Sequence, residues 1–337
     1  MKEKNYGFEL IRNISFIMVI FIHIANYFCR AFGQISTHEY LFALTINTVS
    51  RVSVPCFFMI TGALLLGRQE SVSKCLKRAR HFIIVLIAWS VIYYIFNTYY
   101  TKQPWQWTLF LDDPAEDHLW YLYVLIPIHI VLPFLQAMCR GMDEKLEHAF
   151  AVIGTIWVFV LHLLTYIPLD FYFDLPIFDG RSYIYYLYMG YYVMKYHHKI
   201  FHHIKVLATV FLTSTIGNII IVCLYSSLIN DHYERTLEYG NPLVIMSSLS
   251  FFALIITLNE RYLKWSDKSK KLMDIAASYS FGIYLVHIIF LDIYKMNVTA
   301  DQYSVYLSIP LLFIVILTAS SLIICLIRQL PLKKILI

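Results

Sequence analysis

Charged residues make up only 15% of the 337-residue chain, against about 25% in an ordinary soluble domain, which excludes a water-soluble globule. Eleven glycines and ten prolines are too few for a collagen-like or low-complexity chain. The six cysteines, Cys29, Cys56, Cys75, Cys139, Cys223 and Cys325, are dispersed with no C-x-x-C spacing. That pattern argues against a disulfide frame or a zinc site and leaves them as small packing residues. No Walker A loop, H-E-x-x-H, G-x-S-x-G or metal-ligand grouping occurs, and no metal is expected. The net charge of +5, from 27 Lys and Arg against 22 Asp and Glu, is too small to make nucleic acid the expected partner.

What is abundant is apolar: 59% of residues are hydrophobic, with 27 Tyr and 24 Phe, so a disordered chain is excluded as well. A helical span needs about 20 mainly apolar residues. Ten runs satisfy or approach this, at 8–29, 42–66, 81–100, 119–139, 148–167, 182–196, 204–228, 242–260, 272–294 and 304–328, the sixth being short. The first holds Glu9 and Arg12 and lacks a small-residue cleavage site, so it is read as a retained helix and not a signal peptide. The expected fold is all-α: a polytopic membrane helix bundle of about ten transmembrane helices in one domain over residues 1–337.

Loop charge orients the bundle. Twenty of the 27 Lys and Arg fall in alternate connections and the termini, whereas the other set of loops holds only Arg30, Lys102, Arg181, Arg235 and Lys295, with Arg12 and Arg51 inside spans. This asymmetry places both termini in the cytoplasm. The opposite loops carry acidic groups, among them Asp112, Asp113, Glu116 and Asp117, and Asp231, Glu234 and Glu238. None of these loops is long enough for a further domain, so the chemistry must lie in the bundle or at its mouths.

An ionisable side chain at mid-membrane costs about 3 kcal/mol on insertion scales, which makes such residues functional candidates. The first span carries Glu9, Arg12 and His23; eleven residues return a helix to nearly the same face about 16 Å further along, so Arg12 and His23 share a stripe. Snorkelling of Arg12 and an interior, satisfied His23 are the structural alternatives. Arg51 in the second span lies roughly 10 Å below the outer surface, where an ion pair or carbonyl contacts would be its structural role. The Val-Pro step after it and the Thr61–Gly62 pair imply a kink and a close helix contact. Ser280, Tyr284 and His287 fall at spacings of four and three on one face of the ninth span. His129 and His162 stand alone and are expected to be structural. His118, Trp120 and Tyr121 open the fourth span, where Trp and Tyr also serve as interfacial belt residues. Before the third span, Lys74, Lys77, Arg78 and Arg80 form a basic run that suits a phosphate-rich ligand, or serves only as a topology signal.

Together these motifs resemble the integral-membrane acyltransferase family 3, which includes surface-polysaccharide and peptidoglycan O-acetyltransferases. Glu9, Arg12 and His23 resemble its acid-x-x-Arg opening followed by His. VPCFFMITG resembles its V-P-x-F-F-x-x-S-G block, with Thr61 in place of Ser. Lys77-x-x-Arg80 is similar to its R-x-x-R motif, and HLWYLYVLIPIHIVLPFL, YYLYMGYYV and SYSFGIYLVH resemble later blocks. The resemblance implies a cytoplasmic acyl-CoA donor, most often acetyl-CoA, and a sugar hydroxyl of a lipid-linked or exported cell-envelope glycan as acceptor, in the cell membrane. On this basis Lys77, Arg78, Arg80 and Lys74 are expected at the donor phosphates, with Glu9 orienting Arg12. His23 is expected to act as general base or acyl relay, and Arg51 or Arg12 to stabilise the oxyanion. Arg51, Trp120, Tyr121, Ser280, Tyr284 and His287 are expected to contact substrate. Membrane lipids and a separate glycan-synthesis protein are the expected partners, since no fused extracytoplasmic hydrolase-like domain is apparent. A polysaccharide or lipid-linked sugar transporter or flippase would also use intramembrane charges and Pro-kinked helices, though no inverted repeat is evident. A non-catalytic assembly or sensing protein is a third reading.

Overall fold

The computed structural model describes residues 5–102, 113–164, 166, 183–331 and 333–337. Its principal helices are α1 (Tyr6–Cys29), α2 (Thr37–Ser50), α3 (Ser53–Leu65), α4 (Val72–Tyr99), α5 (Trp120–Gly141), α6 (Glu144–Leu164), α7 (Tyr183–Tyr196), α8 (Ile204–Ile229), α9 (Pro242–Thr257), α10 (Asn259–Leu263), α11 (Asp267–Lys295) and α12 (Val305–Ile327). Among the described residues nine helical segments, with α2 and α3 counted together, are long and apolar enough to cross a membrane. The all-α, polytopic reading holds.

Burial sorts the helices into an inner and an outer layer. Half of the apolar window of α1 and 56% of those of α2–α3 and α9 are buried, against 28% for α6, α8 and α12. A helix apolar on all sides belongs in the interior of a bundle, and one with an unpartnered apolar stripe belongs at its periphery facing lipid. On α8 that stripe is Leu212, Ile216, Ile220 and Leu224, all exposed at four-residue spacing.

The sixth expected span, 182–196, departs from the count of ten. The described helix is the 14-residue α7, about 21 Å long, short of the roughly 30 Å hydrocarbon core; residue 182 lies outside the described residues. Its tyrosines Tyr185, Tyr186 and Tyr188 are buried, so its apolarity serves helix–helix packing. The partner is α3, and the two approach at a pair of glycines. A Cβ on Gly62 would sit 1.7 Å from the Leu187 carbonyl oxygen, and one on Gly190 would sit 2.0 Å from that of Met59. Only glycine permits this backbone contact, which meets the expectation drawn from the Thr61–Gly62 pair.

The second span is broken, but not at the Val-Pro step itself. Helix α2 ends at Ser50 and α3 starts at Ser53, with Arg51 and Val52 between them. Pro55 has no N–H to give the Arg51 carbonyl and its ring crowds that carbonyl, so the helical ladder fails one turn before the proline. Arg51 N–H instead makes a tighter bond to the Thr48 carbonyl at 3.2 Å. At the end of α3, Gln136 from α5 donates to the Leu65 carbonyl at 2.9 Å and accepts from the Glu70 N–H at 3.2 Å. This buried amide fixes the turn into α4 and, with it, the position of Glu70.

Candidate active site

A cavity of about 850 Å³ runs along α1 through the bundle. At the end with the basic loops its wall includes Arg12, Arg78 and His81; at the end with the acidic loops it includes Arg30, Glu234 and Lys295. Residues 12 and 30 of one helix bracket it, a rise of about 27 Å. The stripe predicted on α1 is therefore the cavity wall, with Arg12, Val19, His23 and Asn26 all lining it.

The ions at both ends are paired. Arg12 donates to Glu9 at 2.6 Å, one turn away on the same helix. Arg78 reaches Glu70 with both arms of its fork, at 2.5 and 2.9 Å, and Lys74 binds the same carboxylate at 2.6 Å. The hydrogen bond from Arg78 holds the Glu70 carboxyl down at about 2. At the opposite end Arg30 bonds Glu234 at 2.7 and 3.3 Å. Burial works to raise the Glu234 carboxyl, but its bond with Arg30 prevails and holds it below its ordinary value.

Between these ends the wall is largely apolar, with Val19, Val54, Phe57, Ile60 and Leu125, and set into it are imidazoles, hydroxyls and the Arg51 guanidinium. His23 lines it and packs against two further histidines, its ring centroid 5.2 Å from that of His287 and 6.4 Å from that of His118, which lie 5.3 Å from each other. His287 is buried. Its Nδ1 donates to the Tyr284 carbonyl at 2.7 Å, and its Nε2 has no hydrogen-bond partner. His118 is only 2% exposed, and its ring reaches the Leu285 backbone without making a well-formed hydrogen bond. The Tyr284 hydroxyl donates to the His118 carbonyl and ties α11 to the start of α5. Buried polar groups are nearly always paired, so the His118 ring in the cavity wall, with no well-formed hydrogen bond of its own, marks a place where a polar ligand belongs. Arg51, at the α2–α3 break, donates from Nε to Asn47 Oδ1 at 2.9 Å, and Asn47 in turn donates to Asn26 at 3.0 Å.

The structure brings most of the expected residues together. Glu9 pairs with Arg12 beside the cavity, and Arg12, His23, Arg51, Trp120, Tyr121, Ser280 and Tyr284 line it; His287 sits behind His23. Trp120 and Tyr121 turn inward, stacking near Tyr183 and Tyr284 at 5.2 and 5.8 Å, and do not form an outer belt. His129 also lines the cavity, with Nδ1 on the Leu125 carbonyl at 2.8 Å. The basic run is the exception: it does not act as one cluster. Arg78 faces the cavity and Lys74 pairs with Glu70, whereas Lys77 and Arg80 line a separate shallow groove with Val72, Ser73 and Leu76. A single turn of helix cannot present positions 77, 78 and 80 to one side, because 78 lies about 100° from 77 and about 200° from 80. Asn26, Arg30, Tyr239 and Glu234 were not singled out as site residues, since they come from helix ends and a connecting loop that only folding brings to the cavity.

A helical bundle whose described residues include nine segments long and apolar enough to cross a membrane, with a cavity running along α1, defines a multi-pass membrane protein. The profile of the acyltransferase-domain family, acyltransferase family 3, matches residues 5–328. The chain belongs to that family. A curated amino-acid racemase of Enterococcus faecalis is 30% identical over 163 residues, which is 45% of this chain and 22% of that protein. The match thus spans less than a quarter of the relative's length. No solved structure matches the chain.

Proposed function

We propose that this membrane acyltransferase moves an acyl group, acetyl in the simplest case, from cytoplasmic acyl-CoA to a hydroxyl of a lipid-linked or exported cell-envelope glycan, in the cell membrane. The observation that carries the reading is the cavity itself, with cations at its basic end and His23 in its wall about 16 Å further along α1. The acyl-pantetheine arm of the donor is long and thin enough to follow such a route while its phosphates stay at Arg78 and Arg12. The acceptor enters from the acidic end.

In the transfer, an imidazole nitrogen of His23 takes the proton of the acceptor hydroxyl as its oxygen bonds to the thioester carbonyl carbon. The carbonyl electrons move onto oxygen, and Arg51 stabilises that oxyanion. The carbon–sulfur bond then breaks, the thiolate leaves, and it recovers the proton from His23. One ester and one thiol result, and His23 ends as it began. His287 and Tyr284 hold the aromatic wall behind it. The amino-acid chemistry named for the racemase is no part of this proposal, because the shared 163 residues cover only 22% of that protein.

The test is thermal stabilisation of the detergent-purified protein by acetyl-CoA, CoA and a phosphate-matched nucleotide. A ligand that prefers the native state must raise apparent stability. Acetyl-CoA and CoA are expected to stabilise the wild type and to lose that effect in Arg78→Ala. Absence of any shift in folded wild-type protein overturns the donor assignment and favours the transporter reading.

A further inference from the structure

We propose that Lys77 and Arg80 form a headgroup site for an anionic phospholipid of the leaflet facing the basic loops, distinct from the acyl-donor route. The two faces of α4 are chemically different. On the inner face Arg78 lines the cavity and is neutralised by Glu70. On the outer face Lys77 and Arg80 are both exposed, and among the described residues neither has a carboxylate within ion-pairing distance. They share a shallow groove with Val72, Ser73 and Leu76.

The continuation of that outer face identifies its surroundings. Counting on from Arg80, Ile84, Ile87, Val91 and Ile95 are all exposed at spacings of four, three, four and four, with Ile83 exposed beside them. In a multi-pass protein an exposed apolar stripe of this length meets lipid acyl chains. Arg80 lies only about 4.5 Å along the axis from Ile83, at the depth where a chain becomes a headgroup. A phospholipid whose tails lie along Ile84, Ile87 and Val91 thus carries its phosphodiester to Arg80 and Lys77. The guanidinium can take two phosphate oxygens in its fork and the ammonium adds a point charge. Two cations without carboxylate partners select a lipid of net negative charge, because a zwitterionic headgroup brings its own ammonium into the same groove.

The inference goes beyond the proposed function and separates two residues that the basic motif would otherwise assign to the donor. It is tested on the full chain in nanodiscs of phosphatidylcholine, by measuring thermal stability as phosphatidylglycerol replaces the neutral lipid. Removing both charges in Lys77→Ala/Arg80→Ala should weaken the apparent affinity for phosphatidylglycerol about 30-fold, from roughly a fivefold loss per cation. The acetyl-CoA shift should stay at the wild-type value. Lys77→Arg/Arg80→Lys should keep the lipid response, which separates charge from general damage to the fold. A double variant that retains the phosphatidylglycerol response overturns the proposal. One that instead loses the acetyl-CoA shift overturns it too, by returning the pair to the donor. Failure of the wild type to respond to acetyl-CoA would leave the lipid comparison readable and would fall on the proposed function alone.

Discussion

Two buried polar clusters of this bundle are built in opposite ways. At the α6–α7 contact Glu147 is fully buried, yet its carboxylate accepts from Lys195 at 2.7 and 2.8 Å, from Tyr191 at 2.7 Å and from Tyr196 at 2.6 Å. Its own carbonyl takes the Tyr188 hydroxyl at 2.8 Å. Every polar atom there has a partner within the protein, so the cluster has no need of a ligand and acts as a clamp. Around His23 the three rings pack together, but His118 makes no well-formed hydrogen bond and His287 leaves its Nε2 open. Polarity satisfied from within holds a fold together, and polarity left open inside a cavity waits for a substrate.

The sharpest way to break this comparison is His23→Ala. Turnover, read as release of CoA thiol from acetyl-CoA in reconstituted protein, should fall by about 10²–10⁴-fold if His23 handles the proton. The melting temperature should hardly change, because the ring already faces a cavity. A variant that turns over normally would remove His23 from the chemistry. Glu147→Ala should do the reverse. It leaves the Tyr191 and Tyr196 hydroxyls without their acceptor, and chemical unfolding in detergent should register a loss of about 3 kcal/mol. Activity per folded molecule should persist; equal loss of both would mean that the clamp and the cavity are not separable.

A smaller effect is expected at Glu116, which lies between the two extremes. Burial first, and the negative charge of Asp292 second, push its carboxyl up to about 7, with only a 3.4 Å contact from Asn97 Nδ2 in return. Because the folded value lies above the unfolded one, the stability it confers is complete below about pH 4.5 and is lost as pH rises through about 7. Glu116→Gln should therefore raise the melting temperature by a few degrees at pH 8 and leave it unchanged at pH 4.5. Equal shifts at both pH values would show that the carboxyl is not desolvated.

Much of this bundle was legible beforehand because its rules are one-dimensional. Spans follow from run length and the Arg12–His23 stripe from helical period, and each needs only a single helix. The Gly62 contact was visible for the same reason, since a small residue inside a span has few other uses. What escaped depends on which neighbour a face meets. The spacing of Lys77 and Arg80 shows that they point the same way, but not that Arg78 alone turns to the cavity. Trp120 and Tyr121 are expected at the substrate through the family resemblance, because their composition alone fits an interfacial belt equally well; their ring contacts with Tyr183, Tyr239 and Tyr284 turn them to the cavity. His118 is an ordinary loop-end histidine until His23 and His287 arrive from helices 95 and 169 residues away in sequence.

The interruption at Arg51 has a practical corollary for genetics. Where Pro55 ends the ladder, the Arg51 main-chain carbonyl cannot receive its usual amide four residues on, and it belongs to a residue whose side chain lines the cavity. Replacing Arg51 by alanine removes the guanidinium and leaves that peptide oxygen in place. Pro55→Ala restores the missing amide, so it separates the main chain of Arg51 from its side chain in a way that no substitution at position 51 does.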